Sequence, residues 1–261
     1  MNIRRLTAGS QLLRSIFFPI LRNINYEIKW KHDVTHRRFF LMTWLHKGYW
    51  YYGSKREQDE LLRFNEFIKK GDCVFEVGGH IGYVSQIFEN LVGERGSVFV
   101  AEPTDFSRKF LQKNVRETTT VLPMALSDTV GEMDFYTEEF GGFTNSLVSD
   151  FTENSDKWLR NSQKISSTSI NKISIPVSTL DVICKEYSIQ PSFLKIDVEG
   201  AELNVLRGAT SVLKGVKALM VEISKNNEEI YDLLSQYGFS AKDKKGEEVS
   251  AYMSGNIFFY K

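Results

Sequence analysis

The chain is poor in cysteine: in 261 residues it holds two, Cys73 and Cys184, far apart in sequence and each among apolar neighbours. That excludes a disulfide framework and suits a reducing compartment, with both thiols expected in the core. Net charge is missing as well, because 33 Lys and Arg balance 33 Asp and Glu. With 25% charged and 42% hydrophobic residues, the chain can fill a sizeable core. The same balance speaks against disorder and against a global field that draws nucleic acid. Long apolar runs are missing too. The run over 16–21 is short, broken by Pro19 and flanked by Arg14 and Arg22. Neither a signal peptide nor a membrane span is therefore expected, and a cytoplasmic protein is.

The overall neutrality hides an asymmetry. Residues 1–56 hold 11 Lys and Arg but 2 Asp and Glu, and the remainder reverses this at 22 against 31. We read 1–54 as a basic, aromatic, helical extension, because Leu12, Leu13, Ile16, Phe17, Ile20, Leu21 and Ile24 recur at helical spacing with arginines between them. Such an apolar face has three destinations: the chain's own second domain, an anionic membrane surface that would make the protein peripheral, or nucleic acid. No binding motif accompanies the charge, so nucleic acid is not an expected partner. His32 and His36, four apart, would share one face of a helix, but no nearby Glu or Cys completes a metal site, and no metal is expected.

From residue 55 to 261 apolar strands alternate with amphipathic helices, which predicts an α/β domain with a doubly wound, mostly parallel sheet. A helix over 55–70 precedes a strand over 73–77. Further strands are predicted over 98–101, 121–126, 193–198 and 218–223. A helix after Pro103 starts at a Thr104 cap, a helix over 179–187 is capped by Ser178, and another runs over 228–237. Residues 132–138 alternate like an antiparallel strand, and 252–260 supply a closing strand pair at the edge. The stretch 140–169 is rich in Ser, Thr and Asn with little periodicity, and its length inside a compact domain marks it as a substrate lid, with Phe143 and Trp158 suited to a sugar ring.

The chemistry concentrates where strands end. After the first central strand comes Gly78-Gly79-His80-Ile81-Gly82, the turn into a helix. Glycine admits positive φ and lets a ligand lie against bare backbone, and the helix aims its unpaired N–H groups there. The dinucleotide fingerprint G-x-G-x-x-G is missing, and Glu76 sits just before the loop, where it repels pyrophosphate and suits a cation. Glu102, at the tip of the next strand and followed by Pro103, is placed to accept hydrogen bonds from a ribose diol. S-adenosylmethionine carries ribose, adenine, an ammonium and a sulfonium, and so offers a partner to both acids. Ala125, Leu126 and Asp128 end the third strand and are candidate adenine neighbours. Asp197 and Glu199 crowd the end of the fourth strand ahead of Glu202, and Glu222 lies near the end of the fifth.

Taken together, the stretches 74–83, 101–103, 179–181 and 194–202 resemble the FkbM family of S-adenosylmethionine-dependent methyltransferases. The resemblance spans about 57 to the end. It implies the class I methyltransferase fold and methylation of hydroxyls on sugars, glycans or polyketide-like metabolites. By position it implies that Glu76, Gly78, Gly79 and Gly82 form the cofactor loop, that Glu102 is the ribose ligand, and that Asp197 and Glu199 face the transferred methyl. In the family's Asp-x-Gly-Ala-Asn loop this chain has Glu76, Gly79 and His80 in place of Asp, Ala and Asn. His80 either donates to the cofactor carboxylate or fills the space of Asn. Asp197, Glu199 and Glu222 are the candidate general bases. A non-catalytic scaffold on the same fold and a nucleotide-dependent oxidoreductase are the alternatives.

Overall fold

The structure is a computed structural model and describes residues 23–52, 58–137, 146–147, 171–249 and 251–261. The chain forms two compact units, Met1–Gln58 and Asp59–Lys261.

In the first unit the described residues are not the expected helix but a hairpin, β1 (Glu27–Lys31) antiparallel to β2 (Arg38–Met42), followed by a short helix, Lys47–Tyr52. The reason is a period of two that competes with the helical spacing upstream. Ile28 faces Leu41 and Trp30 faces Phe39 on one side, while Lys29, Lys31 and Arg38 alternate onto the other. His32 closes the turn rather than joining a metal set: its N–H donates to the Arg37 carbonyl at 2.8 Å, and its Nδ1 accepts from Val34 N at 3.1 Å and Thr35 N at 3.2 Å. His36 sits in the same turn at φ 57. The helix expected ahead of Ile24 lies outside the described residues.

The second unit carries β3 (Cys73–Val77), β4 (Ser97–Ala101), β5 (Thr120–Leu122), β6 (Ala125–Leu126), β7 (Gly131–Thr137), β8 (Asn171–Ser178), β9 (Phe193–Ile196), β10 (Ala218–Ile223), β11 (Ser240–Asp243) and β12 (Gly255–Tyr260). The main sheet runs β11-β12-β10-β9-β3-β4-β5. Within it β12 is antiparallel to both neighbours, and the pairs from β10 to β5 are all parallel. This is the doubly wound α/β fold the class I resemblance implies. The chain builds outward from β3 through β4 to β5, then returns to build from β9 through β10. The order therefore reverses between β3 and β9, and in such sheets ligands bind beyond the carboxyl ends of the strands at that reversal. Phe75, Val74, Leu194, Ile196, Leu219 and Val221 are fully buried, so the central strands are covered on both faces.

The predicted third strand is divided. Thr120–Leu122 joins the main sheet, whereas Ala125–Leu126 pairs with β8 in a separate three-stranded sheet with β7. Pro123 stands between them and has no N–H to continue a ladder. Two caps also differ from expectation. Thr179, not Ser178, caps the helix Leu180–Glu186 by accepting from Val182 N at 3.2 Å, because Ser178 still belongs to β8. Thr104 precedes the helix Asp105–Asn114, but its hydroxyl donates to Glu102 at 2.5 Å instead of capping. The closing pair is β12 with β11, and β11 is the edge. Both cysteines are free, with Cys184 buried and its thiol pushed up to about 12 by burial, then by nearby Cys73. No described helix is long and apolar enough to cross a membrane.

Candidate active site

The reversal point brings the ends of β3, β4, β9 and β10 together, and with them most of the predicted acids. The glycine loop is built chiefly against the protein itself. A Cβ on Gly78, at φ +88, would stand 1.9 Å from the Asp197 carbonyl oxygen, and one on Gly79 would stand 2.1 Å from a Val100 methyl. Glycine is needed there so that β3 and β9 can meet beyond their last paired residues. Gly82 starts the helix Tyr83–Val92 at φ 84. The loop amides are engaged as well: Gly78 N and Gly79 N donate to the Ala101 carbonyl at 3.0 and 3.2 Å, and His80 N donates to Glu102 Oε2 at 2.9 Å. These three amides are engaged within the protein, and the expectation of ligand-facing donors rests on the first turn of the helix that follows.

Glu102 locks the turn. Its Oε1 accepts from Thr104 N at 2.9 Å and from the Thr104 hydroxyl, and its Oε2 holds His80 N. Burial raises its pKa against these hydrogen bonds. A carboxylate accepts about four hydrogen bonds, so three partners leave room for one more, which fits a ribose hydroxyl. Pro103 follows, and its carbonyl accepts from Arg108 at 2.8 Å.

Glu76 departs from the sequence expectation. It is 1% exposed, accepts from Ser85 Oγ at 2.5 Å and lies 3.5 Å from the Lys195 ammonium. Its charge is answered inside the sheet, so it is not offered directly to a cationic ligand. Burial, opposed by Lys195 and Ser85, pushes its pKa up to about 7. Ala125 and Leu126 are also corrected as adenine contacts by their side chains: both are buried, Ala125 against Phe135, Ile175 and Val177, and Leu126 in the main core. Asp128 is exposed and accepts from Asn204 at 3.3 Å.

Asp197, Glu199 and Glu222 do converge, one carboxylate oxygen of each lying within 4.8 Å of the other two, the one group of three or more His, Cys, Asp or Glu so placed among the described residues. Spacing of this kind can admit a divalent cation, an oxygen cage that sequence alone did not disclose. The chain also brings its own cation. Lys195 Nζ lies 2.9 Å from Asp197 Oδ2, 3.5 Å from Glu76 Oε1 and 3.5 Å from the Gly78 carbonyl. Burial alone would favour loss of its proton, but Asp197 and then Glu76 outweigh this and raise its pKa. Burial likewise pushes Asp197 up, and the Lys195 ammonium with a Glu222 hydrogen bond outweighs it, so Asp197 is lowered. Glu199 is raised to about 9 by burial, then by Asp197 and Glu202. Glu222 is raised to about 10, first by the Asp197 charge and then by burial. Near neutral pH the cluster thus holds its negative charge on Asp197, whose side chain is 28% exposed, and holds protons on Glu199 and Glu222.

Two site features, Lys195 and Ser85, escaped sequence reasoning. Lys195 was hidden in an apolar strand, although a lysine among Phe193, Leu194 and Ile196 is itself a signal of a buried partner. Ser85 had no sequence signal. Glu202 serves its own helix start, accepting from Gly200 N at 2.8 Å. Of the predicted lid, residues 140–145 and 148–169 lie outside the described residues, Phe143 and Trp158 among them. Ser146 is described, is fully buried and donates to the Glu199 carbonyl at 2.6 Å.

Residues 76–241 match the family model described as the methyltransferase FkbM domain. A curated relative, the hexuronic acid methyltransferase AglP of Haloferax volcanii, is 26% identical over 194 residues, 72% of this chain and 72% of its own. Among solved structures, an S-adenosylmethionine-dependent O-methyltransferase of Thermotoga maritima is 12% identical with a TM-score of 0.43, covering 79% of this chain and 65% of its own. Aeropyrum pernix fibrillarin with S-adenosyl-L-methionine is also 12% identical, with a TM-score of 0.41 over 90% of this chain and 88% of its own.

Proposed function

The chain belongs to the FkbM family of S-adenosylmethionine-dependent methyltransferases, and on that premise we propose that it methylates a hydroxyl of a sugar or glycan. The observation that carries this reading is Asp197: a partly exposed carboxylate, 2.9 Å from the Lys195 ammonium, whose backbone carbonyl packs against the loop at Gly78. When bound, S-adenosylmethionine supplies a methyl group already activated for in-line displacement, so the protein's chief task is alignment. Gly78, Gly79 and Gly82 shape the seat, and Glu102 accepts a ribose hydroxyl. Asp197 takes the proton released by the acceptor hydroxyl, directly or through one water. Glu222, protonated near neutral pH, donates its one O–H to Asp197, and Glu199, protonated as well, donates a hydrogen bond to a neighbouring oxygen of the acceptor. The sugar assignment is supported by the hexuronic acid methyltransferase relative.

The test is a panel of hexuronic acids, neutral hexoses and polyketide-type alcohols incubated with the full chain and methyl-labelled S-adenosylmethionine, with products identified by mass spectrometry. A base-stable methyl ether on a sugar is expected. Methylation of the polyketide-type alcohols alone, or a base-labile methyl ester, would overturn the sugar-hydroxyl assignment. For the first unit we propose contact with an anionic membrane surface from the cytoplasmic side, supported by the charge surplus before residue 57. Co-sedimentation with phosphatidylserine vesicles, compared with neutral ones, tests it.

A further inference from the structure

Lys195 occupies a position that a lysine rarely takes. All four residues of β9 are buried, and the side chain of Lys195 is 5% exposed. A charge in such a place needs anions, and the parallel register supplies one by pairing Lys195 with Glu76 across β9 and β3. The ammonium has three donors, and its neighbours lie on three different segments. Glu76 belongs to the strand ahead of the cofactor loop, Gly78 to the loop itself, and Asp197 to the tip of the next strand. The shortest contact, 2.9 Å, is the one to Asp197.

We propose that Lys195 is a positioning residue for methyl transfer: it pins the Asp197 carboxylate beside the cofactor loop, so that proton acceptor and methyl donor keep one fixed geometry. This rests on the function proposed above. The alternative is a lysine that only balances Glu76 and steadies the sheet. The two differ in what removing the charge does. A buried ion pair can often be replaced by apolar groups of similar volume without loss of stability. If Lys195 is only structural, removing both charges restores a normal enzyme. If it acts through Asp197, stability returns and activity does not. The other titratable groups facing Asp197 are Glu222, which hydrogen-bonds it, Glu199, and His80, whose imidazole also favours its charge. Without the ammonium, the Asp197 carboxylate keeps its hydrogen bond with Glu222 but loses the 2.9 Å contact that ties it to the residue beside Gly78.

The experiment compares full-length wild type with Lys195→Met, Glu76→Gln/Lys195→Met, Asp197→Asn and Asp197→Asn/Lys195→Met. Affinity for S-adenosylhomocysteine is read by calorimetry, and kcat and KM by turnover of the sugar acceptor that the panel identifies. The proposal expects Lys195→Met to lower kcat on the order of 100-fold, with KM and S-adenosylhomocysteine affinity nearly unchanged. Glu76→Gln/Lys195→Met should be equally slow although stably folded, and the Asp197→Asn/Lys195→Met double variant no slower than Asp197→Asn alone. Near-normal kcat in Glu76→Gln/Lys195→Met, or multiplicative losses in the Asp197 pair, would overturn it. Where no acceptor turns over, crystal structures of Lys195→Met or of Glu76→Gln/Lys195→Met with S-adenosylhomocysteine decide instead. An Asp197 carboxylate displaced from its wild-type place supports the proposal, and one left in place refutes it. Failure of wild type to bind S-adenosylhomocysteine would count against the functional reading, not against the link between Lys195 and Asp197.

Discussion

The carbonyl oxygen of Asp197 occupies the space beside Gly78 where any other residue would carry its Cβ, at 1.9 Å. The glycine loop and the strand end that carries Asp197 are therefore joined by backbone contact, and the candidate site's first two elements cannot separate without breaking the sheet.

Gly78→Ala should accordingly destabilise the protein by roughly 2–4 kcal/mol, from the left-handed backbone plus the clash. Gly71 shares the positive φ, at +89, but has nothing within 4 Å of its missing Cβ. Gly71→Ala should cost about 1 kcal/mol. Urea denaturation of the two variants measures the difference, and equal losses would mean that the contact with Asp197 carries no weight.

Asp197→Asn removes the charge beside Lys195 while keeping the shape. Turnover should fall on the order of 100-fold or more, with S-adenosylhomocysteine still bound at wild-type affinity by calorimetry. Loss of that affinity would instead assign Asp197 to cofactor binding.

Glu102→Gln turns one of the two accepting oxygens into a donor, so it gives up the contact with either His80 N or Thr104 N and weakens the acceptor toward ribose. One charge-assisted hydrogen bond of about 1.5 kcal/mol or more corresponds to roughly tenfold weaker binding of S-adenosylhomocysteine. Unchanged affinity would remove Glu102 from the ribose site.

The raised acids give stability a direction with pH. Glu76, Glu199 and Glu222 stand at about 7, 9 and 10, above the ordinary 4.5. A carboxyl raised on folding binds its proton more tightly in the folded state. Its contribution is full below the ordinary value and is lost as pH rises through the folded one. Urea midpoints should therefore fall as pH rises from about 4.5 to 10, most steeply below pH 7, where all three acids hold a proton that the unfolded chain has lost. Glu222→Gln, which removes one acid of the cluster, should flatten that decline, and an unaltered slope would contradict the assignment.

Lys195 already supplies a positive charge to the acid cluster, so methyl transfer is expected to proceed undiminished in excess EDTA. A loss reversed by Mg²⁺ or Mn²⁺ would show that the three carboxylates take a second cation.

Much of the sheet was legible because its strands are short apolar runs set between helices with clear periodicity, as at 73–77 and 218–223. The gathering of the candidate residues was legible for the same reason: Gly78, Glu102, Asp197 and Glu222 all lie at or just past the carboxyl ends of strands. What those residues touch was not. Glu76 reads as a ligand group until β9 places Lys195 opposite it, and that pairing joins positions far apart in sequence. The glycines were located correctly, but the cause at Gly78 is Asp197, again a distant residue. The N-terminal hairpin was missed because the helical recurrence of Leu12 to Ile24 drew attention from the weaker alternation at Ile28 and Trp30. Pro123 was the local sign that the third strand divides, and the apolar run around it concealed that sign.

Strand β12 pairs with β10 on one side and β11 on the other, and its Phe258 and Phe259 are buried. It comes late in the chain and yet fills an inner place. During synthesis, a nascent chain that has reached Asp243 has made β11 but not the neighbour that joins it to the sheet. One flank of the enzyme must then wait with bare backbone N–H and C=O groups until residues 255–260 emerge from the ribosome, and over that interval the unfinished edge is open to pairing with other chains.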